Sequence, residues 1–480
     1  MLVSSRLKSL ARPAIVAALA AGVAARVYVA FARPLWADEV FTLTLARRSV
    51  PDILAALRVD SGPPLHYLVA HVLLLPFPAP GAGDIVVRLL SVAASLLHFP
   101  VLVRVGRRLG RPEAGRAAAA LYALFPLAVL NGAEGRGYAL ASLLALVAFE
   151  RALALRERPR PGTGLALALF SAGAVLTHYL ALFPVAALAV LAVGARPPAR
   201  RALALAGLAA AALAAPWAPV ALAQPAESMA WARGPEFAHA LRDLPASLAF
   251  GIEPRGAFAV PLAILGGVLV LALLLRERRG VLAPVAGVLA GSLALLAVAQ
   301  AATGALVLPG RTALVFLPLV ALLLASAPAG VPLASAALAA AFLARTLPDV
   351  SGPSPGETLA RLLEAPARAG KTIVAAGYWG PELSYRLARS GAPGHVVFFP
   401  ASVAAHPGWY SEEGIPAETI GAEAEALLAL PARPLVFVLP RGSRASAALA
   451  SRLGPARRLL ASPLVDVVET KPRPAAGGRP

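Results

Sequence analysis

Two acids stand side by side, Asp38 and Glu39, in Pro34-Leu35-Trp36-Ala37-Asp38-Glu39-Val40, just past the first long apolar stretch of the chain. Adjacent carboxylates at a membrane boundary are costly to place, so chemistry at the lipid–water interface is the reason to expect for them. A partly desolvated Asp38 suits a general base that takes a proton from an acceptor hydroxyl, with Glu39 beside it as a second catalytic acid. About twenty residues on comes Asp60-Ser61-Gly62-Pro63-Pro64-Leu65-His66-Tyr67. Asp60 either orients this region or an acceptor, or caps the helix that Pro63 opens. His66 and Tyr67 are candidates for contact with acceptor or sugar. A third constellation is Asn131-Gly132-Ala133-Glu134-Gly135-Arg136-Gly137-Tyr138. Arg136 carries the donor fork that matches phosphate oxygens, and Glu134 would orient it or bind sugar hydroxyls. The bland reading of the same residues is a tight turn closed by a Glu134–Arg136 ion pair. Tyr138 and His178, the latter in Thr177-His178-Tyr179, are further sugar or acceptor candidates, and Arg311 in Leu308-Pro309-Gly310-Arg311 is a candidate phosphate clamp.

The elements that must position these residues are membrane helices. The chain is 59% hydrophobic and 14% charged, outside the range of a soluble domain of this length. Apolar runs recur from residue 13 to 346, each close to the length that spans about 30 Å of hydrocarbon. Backbone groups in lipid must be satisfied internally, so the runs are helices. We place about eleven spans by length and loop charge, at 13–31, 85–104, 115–131, 137–155, 163–179, 180–195, 202–218, 257–275, 281–302, 312–327 and 331–347. The first is read as an uncleaved anchor, since it is long and many spans follow it. Residues 63–77, bounded by prolines and carrying His66, Tyr67 and His71, are read as a juxtamembrane or re-entrant helix.

The net charge of +19 does not indicate nucleic acid. The basic residues gather in the short loops 5–12, 104–116, 151–160, 196–201 and 276–279, as cytoplasmic loops do. The loops poor in Lys and Arg then fall on the outer face: 32–62, 131–136, 177–179, 218–256 and 308–311. They hold most of the acids, histidines and tryptophans of the membrane part, and one outer-facing pocket is the simplest reading. Pro216-Trp217 and Trp231 fit interface anchors. There is no cysteine, hence no disulfide or thiolate chemistry. No phosphate-binding glycine loop appears, so no nucleotide-sugar donor is indicated. No cofactor is indicated either. No cluster has metal-ligand spacing, although His66, His178, Asp60 and Glu39 can still converge on a divalent metal in space.

After residue 349 the composition turns soluble. Residues 372–376, 396–399 and 435–439 are expected as short buried strands, with helices near 383–388, 422–430 and 445–453. That alternation predicts a small α/β domain with a parallel sheet over 350–470, and a disordered tail over 471–480. Gly377-Tyr378-Trp379 after the first strand is either a sugar-stacking turn or an ordinary strand–helix connection.

Trp36-Ala37-Asp38-Glu39, Gly62-Pro63-Pro64-Leu65-His66-Tyr67, Arg88-Leu89-Leu90-Ser91, Glu134-Gly135-Arg136-Gly137-Tyr138-Ala139-Leu140 and Thr177-His178-Tyr179 occur in this order. Together they resemble the bacterial GT-C superfamily of integral-membrane glycosyltransferases, with protein O-mannosyltransferases and lipid A aminoarabinose transferases as the nearest types. The resemblance covers residues 10–350 and implies a polytopic α-helical fold in the bacterial cytoplasmic membrane, acting at its outer face. It implies a polyprenyl-phosphate sugar donor, membrane lipid as surroundings, and inverting transfer to a hydroxyl of a lipid, glycan or protein. It carries the base onto Asp38 and the Glu/Arg turn onto Glu134 and Arg136. The chain departs from the pattern at Gly62, His66 and Ala133, which bears on sugar identity and not on the base. The rival readings are a transporter or flippase, for which internal repeats or broken helices are expected, and a membrane scaffold with no convergent charged site.

Overall fold

In the computed structural model of the chain, the structure describes residues 2–224, 239–304, 307–308, 310–377, 379–392, 394–402, 412, 415–429 and 435–470. Trp231, Tyr378, residues 225–238 of the expected outer loop and the tail 471–480 lie outside the described residues. Helix α1 (Leu2–Ala32) leads through a short connection into α2 (Ala37–Ala46), α3 (Val50–Leu57) and α4 (Leu65–Leu74). The bundle continues with α5 (Asp84–Arg108), α6 (Pro112–Leu124), α7 (Pro126–Asn131), α8 (Tyr138–Glu157), α9 (Pro161–Thr177) and α10 (Leu182–Ala187). Then come α11 (Pro197–Ala214), α12 (Ala218–Ala223), α13 (Ala240–Phe250), α14 (Ala259–Glu277), α15 (Ala283–Thr303), α16 (Leu317–Ser326) and α17 (Gly330–Thr346).

Every one of the eleven expected runs is helical, but they are not equal. Seven segments are long and apolar enough to cross a bilayer among the described residues: Arg12–Ala32, Asp84–Arg108, Tyr138–Glu157, Pro197–Ala223, Gly256–Glu277, Ala283–Thr303 and Gly330–Arg368. The other four are shorter or broken. The expected span 115–131 divides into α6 and α7 at Phe125–Pro126, and 180–195 alternates between 3-10 and α-helix. The chain is a multi-pass membrane protein by these helices. Its most extensive buried cluster has Leu102, Phe125, Phe149, Leu289 and Phe316 between α5, α6, α8, α15 and the start of α16.

The break in α6 has a specific chemical consequence. Pro126 has no N–H, and the residue before a proline is pushed out of the helical region; Phe125 sits at φ −59°, ψ 115°. The Leu127 N–H turns away to the Gly251 carbonyl at 2.8 Å. The carbonyls of Tyr122 and Ala123 thereby lose their helical donors in the middle of the bundle. Arg26 of α1, wholly buried, supplies replacements: Nη1 donates to Ala123 O at 2.8 Å and Nη2 to Tyr122 O at 3.2 Å. Its Nε donates to Ser95 Oγ of α5 at 2.7 Å, and its guanidinium lies over the Phe99 ring at 5.4 Å. The approach needs Gly22, where a Cβ would meet Ala123 O at 2.5 Å, a small residue at a helix contact as membrane packing favours.

The two ends of the bundle differ. At one end the C-termini of α5 and α8 carry an Arg/Glu network, with Arg108 on Glu150 at 2.5 Å and on Glu157 at 2.8 Å, and Arg104 on Glu150 at 3.3 Å. At the other end meet the C-termini of α1 and α9 and the N-termini of α5 and α8. There the acids, histidines and aromatics collect, and there the C-terminal domain docks.

That domain begins with α18 (Pro355–Arg368), capped by Ser354 Oγ accepting from the Glu357 N–H at 3.2 Å. It continues through β1 (Thr372–Ala376), α19 (Trp379–Arg389), β2 (Val396–Phe399), β3 (Leu435–Pro440), β4 (Ala456–Ala461) and β5 (Val465–Thr470), with helices Ala417–Leu428 and Arg444–Ala450 on either side of β3. The sheet order is β2-β1-β3-β5-β4. The three expected strands pair in parallel, with Ile373 opposite Val396 and Val374 opposite Phe437. The expected purely parallel sheet is corrected by the hairpin β4–β5, which adds two antiparallel strands. Helices α18 and α19 cover one face with Leu363, Trp379 and Leu383, and the later helices cover the other with Ile420, Ala424 and Leu449.

Replacing Arg26 by Met keeps the volume and leaves two buried carbonyls unpaired, at about 1–3 kcal/mol each. A lower thermal midpoint of the purified protein in detergent, with Arg26→Lys only partly restoring it, is the expected outcome; an unchanged midpoint for Arg26→Met would overturn the stapling role.

Candidate active site

The site is assembled from helix ends. Helix α2 starts here because the acids Asp38 and Glu39 in its first turn complement the helix dipole and because Glu39 Oε2 reaches back to the Trp36 N–H at 3.3 Å, the return half of a capping box. Both residues are only 1% exposed. Their environments diverge from there.

Glu39 is held on every side. Arg88 meets it in a bidentate fork, Nε to Oε1 at 2.7 Å and Nη2 to Oε2 at 2.6 Å. The Gly135 N–H donates to Oε1 at 2.8 Å. The remaining Arg88 donors close the C-terminus of α1 and the following loop: Nη1 to Ala30 O at 2.9 Å and Arg33 O at 2.5 Å, and Nη2 to Pro34 O at 3.1 Å. Both oxygens of Glu39, expected as a catalytic carboxylate, are committed to α5, to the 134–137 turn and to the helix cap.

Asp38 is the opposite case. Its Oδ1 is buried with no hydrogen-bond partner among the described residues. Its Oδ2 faces two guanidinium groups, Arg311 Nη2 at 3.5 Å and Arg136 Nε at 3.9 Å. Arg136 is fixed from the other side, with Nη1 on Tyr67 OH at 3.2 Å, Thr42 Oγ1 at 3.3 Å and the Asp38 carbonyl at 3.4 Å. Arg311 lies over the Trp36 ring at 4.7 Å and near the Tyr138 ring at 5.8 Å, contacts that orient a cation without consuming its donors.

The turn carrying Arg136 is clamped by three elements. Glu39 holds the Gly135 N–H, His66 Nε2 bonds the Gly135 carbonyl at 3.3 Å, and Ser91 Oγ donates to the Arg136 carbonyl at 3.1 Å. Gly137 sits in close approach, since a Cβ would lie 3.0 Å from the Thr177 carbonyl and 3.2 Å from His66 Cβ and both would have to give way. Tyr138 and His178 form a tilted ring pair at 4.9 Å. His178 Nδ1 accepts from the Leu180 N–H at 3.2 Å, which caps the 3-10 turn after α9.

Asp38, Arg136, Arg311, Tyr67, Tyr138, His66 and His178 therefore gather around one place. Asp60 is buried, 3% exposed, and its charge acts on Tyr67 and Arg136. It does not cap α4, whose N-cap is Pro64 without a side-chain bond. The Glu134–Arg136 pair is also corrected: Glu134 pairs with Arg33 at 2.6 Å. Burial lifts its carboxyl above the ordinary range against the pull of Arg33, and its Oε2 has no hydrogen-bond partner among the described residues. Sequence reasoning assigned no role to Arg33, Arg88, Thr42 or Trp36. Arg88 and Trp36 stood within quoted motifs, and an arginine in the first turns of an apolar helix was the available signal. No group of three His, Cys, Asp or Glu that could hold a metal occurs among the described residues. His66, His178, Asp60 and Glu39 do not form such a group, and guanidinium groups face Asp38.

Truncating Arg88 to Met strands a buried Glu39 charge, at about 3–5 kcal/mol. The double variant Arg88→Met/Glu39→Leu is expected to be more stable than the sum of the single changes. Thermal midpoints of the four proteins form the cycle, and strict additivity would remove the pair from this role.

Residues 61–219 match the family model described as dolichyl-phosphate-mannose-protein mannosyltransferase. No curated protein matches the sequence significantly. Among solved structures, the chain is similar to ArnT from Cupriavidus metallidurans in the apo state, with a TM-score of 0.53 and 15% identity over 96% of this chain and 99% of that one. It is equally similar to the same protein bound to undecaprenyl phosphate, with a TM-score of 0.53 and 17% identity over the same shares. The chain therefore shares the overall fold of that protein.

Proposed function

We propose that the protein transfers a sugar from a polyprenyl-phosphate donor to an acceptor hydroxyl, with inversion at the anomeric carbon, at the outer face of the cytoplasmic membrane. The observation that carries this reading is Asp38: a buried carboxylate with one oxygen unpartnered among the described residues, its other oxygen facing two arginines. The ArnT structure with undecaprenyl phosphate and the mannosyltransferase family model support a lipid-linked donor.

In this reading Asp38 Oδ1 takes the proton from the acceptor hydroxyl as that oxygen attacks the anomeric carbon. The new C–O bond forms on the face opposite the phosphate, and the old C–O bond breaks with its electron pair leaving on phosphate oxygen. A phosphate is already a good leaving group, so no general acid is required. Arg136 and Arg311 stabilise the charge that develops there, as preoriented donors do at low dielectric. Tyr138 and His178 form one wall for the sugar, with Asp60, His66 and Tyr67 on the acceptor side. Glu39 and Glu134 are positioning residues, acting through Arg88 and Arg33. The membrane and the site hold the reactants together, so much of the rate gain is proximity. Residues 350–470 are an extracytoplasmic domain in the same reading, since they dock at the end where Asp38 lies.

The test is consumption of radiolabelled polyprenyl-phosphate sugars by the purified protein in lipid. Asp38→Asn is expected to abolish consumption while the thermal midpoint stays near that of the unaltered chain; equal consumption by both proteins would remove Asp38 as base. Arg311→Met is expected to lower turnover by about a hundredfold with the fold intact, and unchanged turnover would remove Arg311 from the leaving-group site.

A further inference from the structure

A second charged region lies apart from Asp38. Between the outer end of α1, the start of α5 and helices α18 and α19 runs a cleft of about 530 Å³. Five arginines line it, Arg33, Arg88, Arg361, Arg386 and Arg389, against two carboxylates, Asp84 and Glu357. Neither Asp38 nor Arg136, Arg311 or Tyr138 is part of its wall, so it is separate from the place assigned to the donor phosphate.

The five arginines are not equivalent. Arg88 and Arg386 are buried and engaged, the first on Glu39 and the second on Glu382 at 2.7 Å. The side chains of Arg33, Arg389 and Arg361 are 30%, 52% and 67% exposed. They ring the cleft with guanidinium groups that water reaches. Each is paired with one carboxylate, Glu134, Asp84 and Glu357 respectively, and each keeps further N–H donors with no partner among the described residues. The remaining wall is apolar, with Phe31 and Ile85 among its residues. Phe31 ends a stripe on α1 made by Val16, Val23, Val27 and Phe31, all exposed. Their spacing places them on one helix face, and an exposed apolar face on a spanning helix contacts acyl chains. A molecule whose chains lie on that stripe brings its head group to Phe31 and into the ring of arginines.

We propose that this cleft binds the phosphate-bearing head group of an anionic membrane lipid, with Arg33, Arg361 and Arg389 as its ligands and the α1 stripe as the seat of its chains. Phosphate is the recognised chemistry: the guanidinium fork matches its oxygens in pairs, and basic pockets at a membrane surface take such head groups. A free phosphate ion shares the chemistry but has no use for the stripe, which is why a lipid is the assigned occupant. The proposal concerns binding and does not rest on the transferase reading; loss of one leaves the other standing.

The experiment counts lipids retained by the purified full-length protein in native mass spectrometry. The protein is supplied with phosphatidylglycerol or with phosphatidylcholine, each with and without inorganic phosphate. Preferential retention of phosphatidylglycerol is expected, reduced about fivefold for each charge removed in Arg361→Gln and Arg389→Gln. Arg276→Gln, an exposed arginine outside the cleft, should leave retention unchanged. Arg361 is exposed and pairs, among the described residues, only with its helix neighbour Glu357, so R361Q carries the test even where R389Q disturbs the domain contact with Asp84. Equal retention of the two lipids, or undiminished phosphatidylglycerol on R361Q, would overturn the proposal. Displacement of the lipid by millimolar phosphate, with no effect of the chains, would reassign the site to a free anion and equally overturn it.

Discussion

The geometry of the site depends on Arg88. Its five N–H donors meet five acceptors: two oxygens of Glu39 and the carbonyls of Ala30, Arg33 and Pro34. A guanidinium is the side chain with that many donors in a fixed plane. One residue thus closes the C-terminus of α1, fixes the connection to α2, and neutralises the second of two adjacent buried acids. Glu39 passes the constraint on to the Gly135 N–H, and so to the turn that carries Arg136. Asp38 is positioned by this framework, while its carboxylate makes only long contacts, at 3.5 and 3.9 Å, among the described residues. Two neighbouring carboxylates acquire different tasks from their surroundings alone, one fully hydrogen-bonded and one left with an oxygen to offer.

A second polar arrangement inside the bundle brings the remaining loops to the same end. The proline break between α6 and α7 redirects the chain toward Asn131–Arg136, and Arg26 satisfies the two carbonyls that the break exposes. Ser95, which accepts from Arg26, also reaches the Ala128 carbonyl of α7 at 3.4 Å. One helical turn along α5 from Ser95, His98 stacks on Tyr122 at 4.6 Å and meets Ser142 Oγ of α8 at 3.0 Å. Ser142 in turn donates to the Leu314 carbonyl at 3.1 Å, three residues after Arg311. Buried polar groups of this kind specify one packing when fully paired. Here they set the heights of α1, α5, α6, α8 and the segment before α16, and those heights decide whether Arg136 and Arg311 arrive at Asp38 together.

The apolar runs were legible because period and length report directly on helices in lipid, and the first three strands of the C-terminal domain were legible as short apolar runs between turn residues. Gathering of the residues 32–62, 131–136, 177–179 and 308–311 at one end followed from loop charge. Pairing was not legible. Glu134 stands two residues from Arg136 yet bonds Arg33, about a hundred residues away, because partner choice is set by how α1 packs against α7 and not by local spacing. Arg26 carried a signal that went unread, a charge within an apolar run, and Pro126 carried another, a proline inside an expected span. The β4–β5 hairpin was missed because its first strand, Ala456–Ala461, is mostly exposed and shows no alternation that marks a strand face.

The soluble domain is joined to the same framework and not merely tethered to it. Arg386 of α19, buried and paired with Glu382, donates to the Leu35 carbonyl at 2.5 Å, immediately before the Trp36 cap of α2. Tyr385 donates to Asp84 in the first turn of α5, and accepts from Arg47 Nη1 at the end of α2 at 3.3 Å. Arg389 pairs with Asp84 at 2.9 Å. Helix α19 therefore grips both ends of α2 and the start of α5, one helical turn before Arg88. The Asp38 carboxylate sits on a ten-residue helix that is fixed below by Arg88 and above by α19. A helix that short has little stability of its own in isolation, so its orientation is borrowed from these two neighbours. The α/β domain belongs to the structural basis of the site for that reason, although none of its own side chains meets Asp38 by hydrogen bond or ion pair among the described residues.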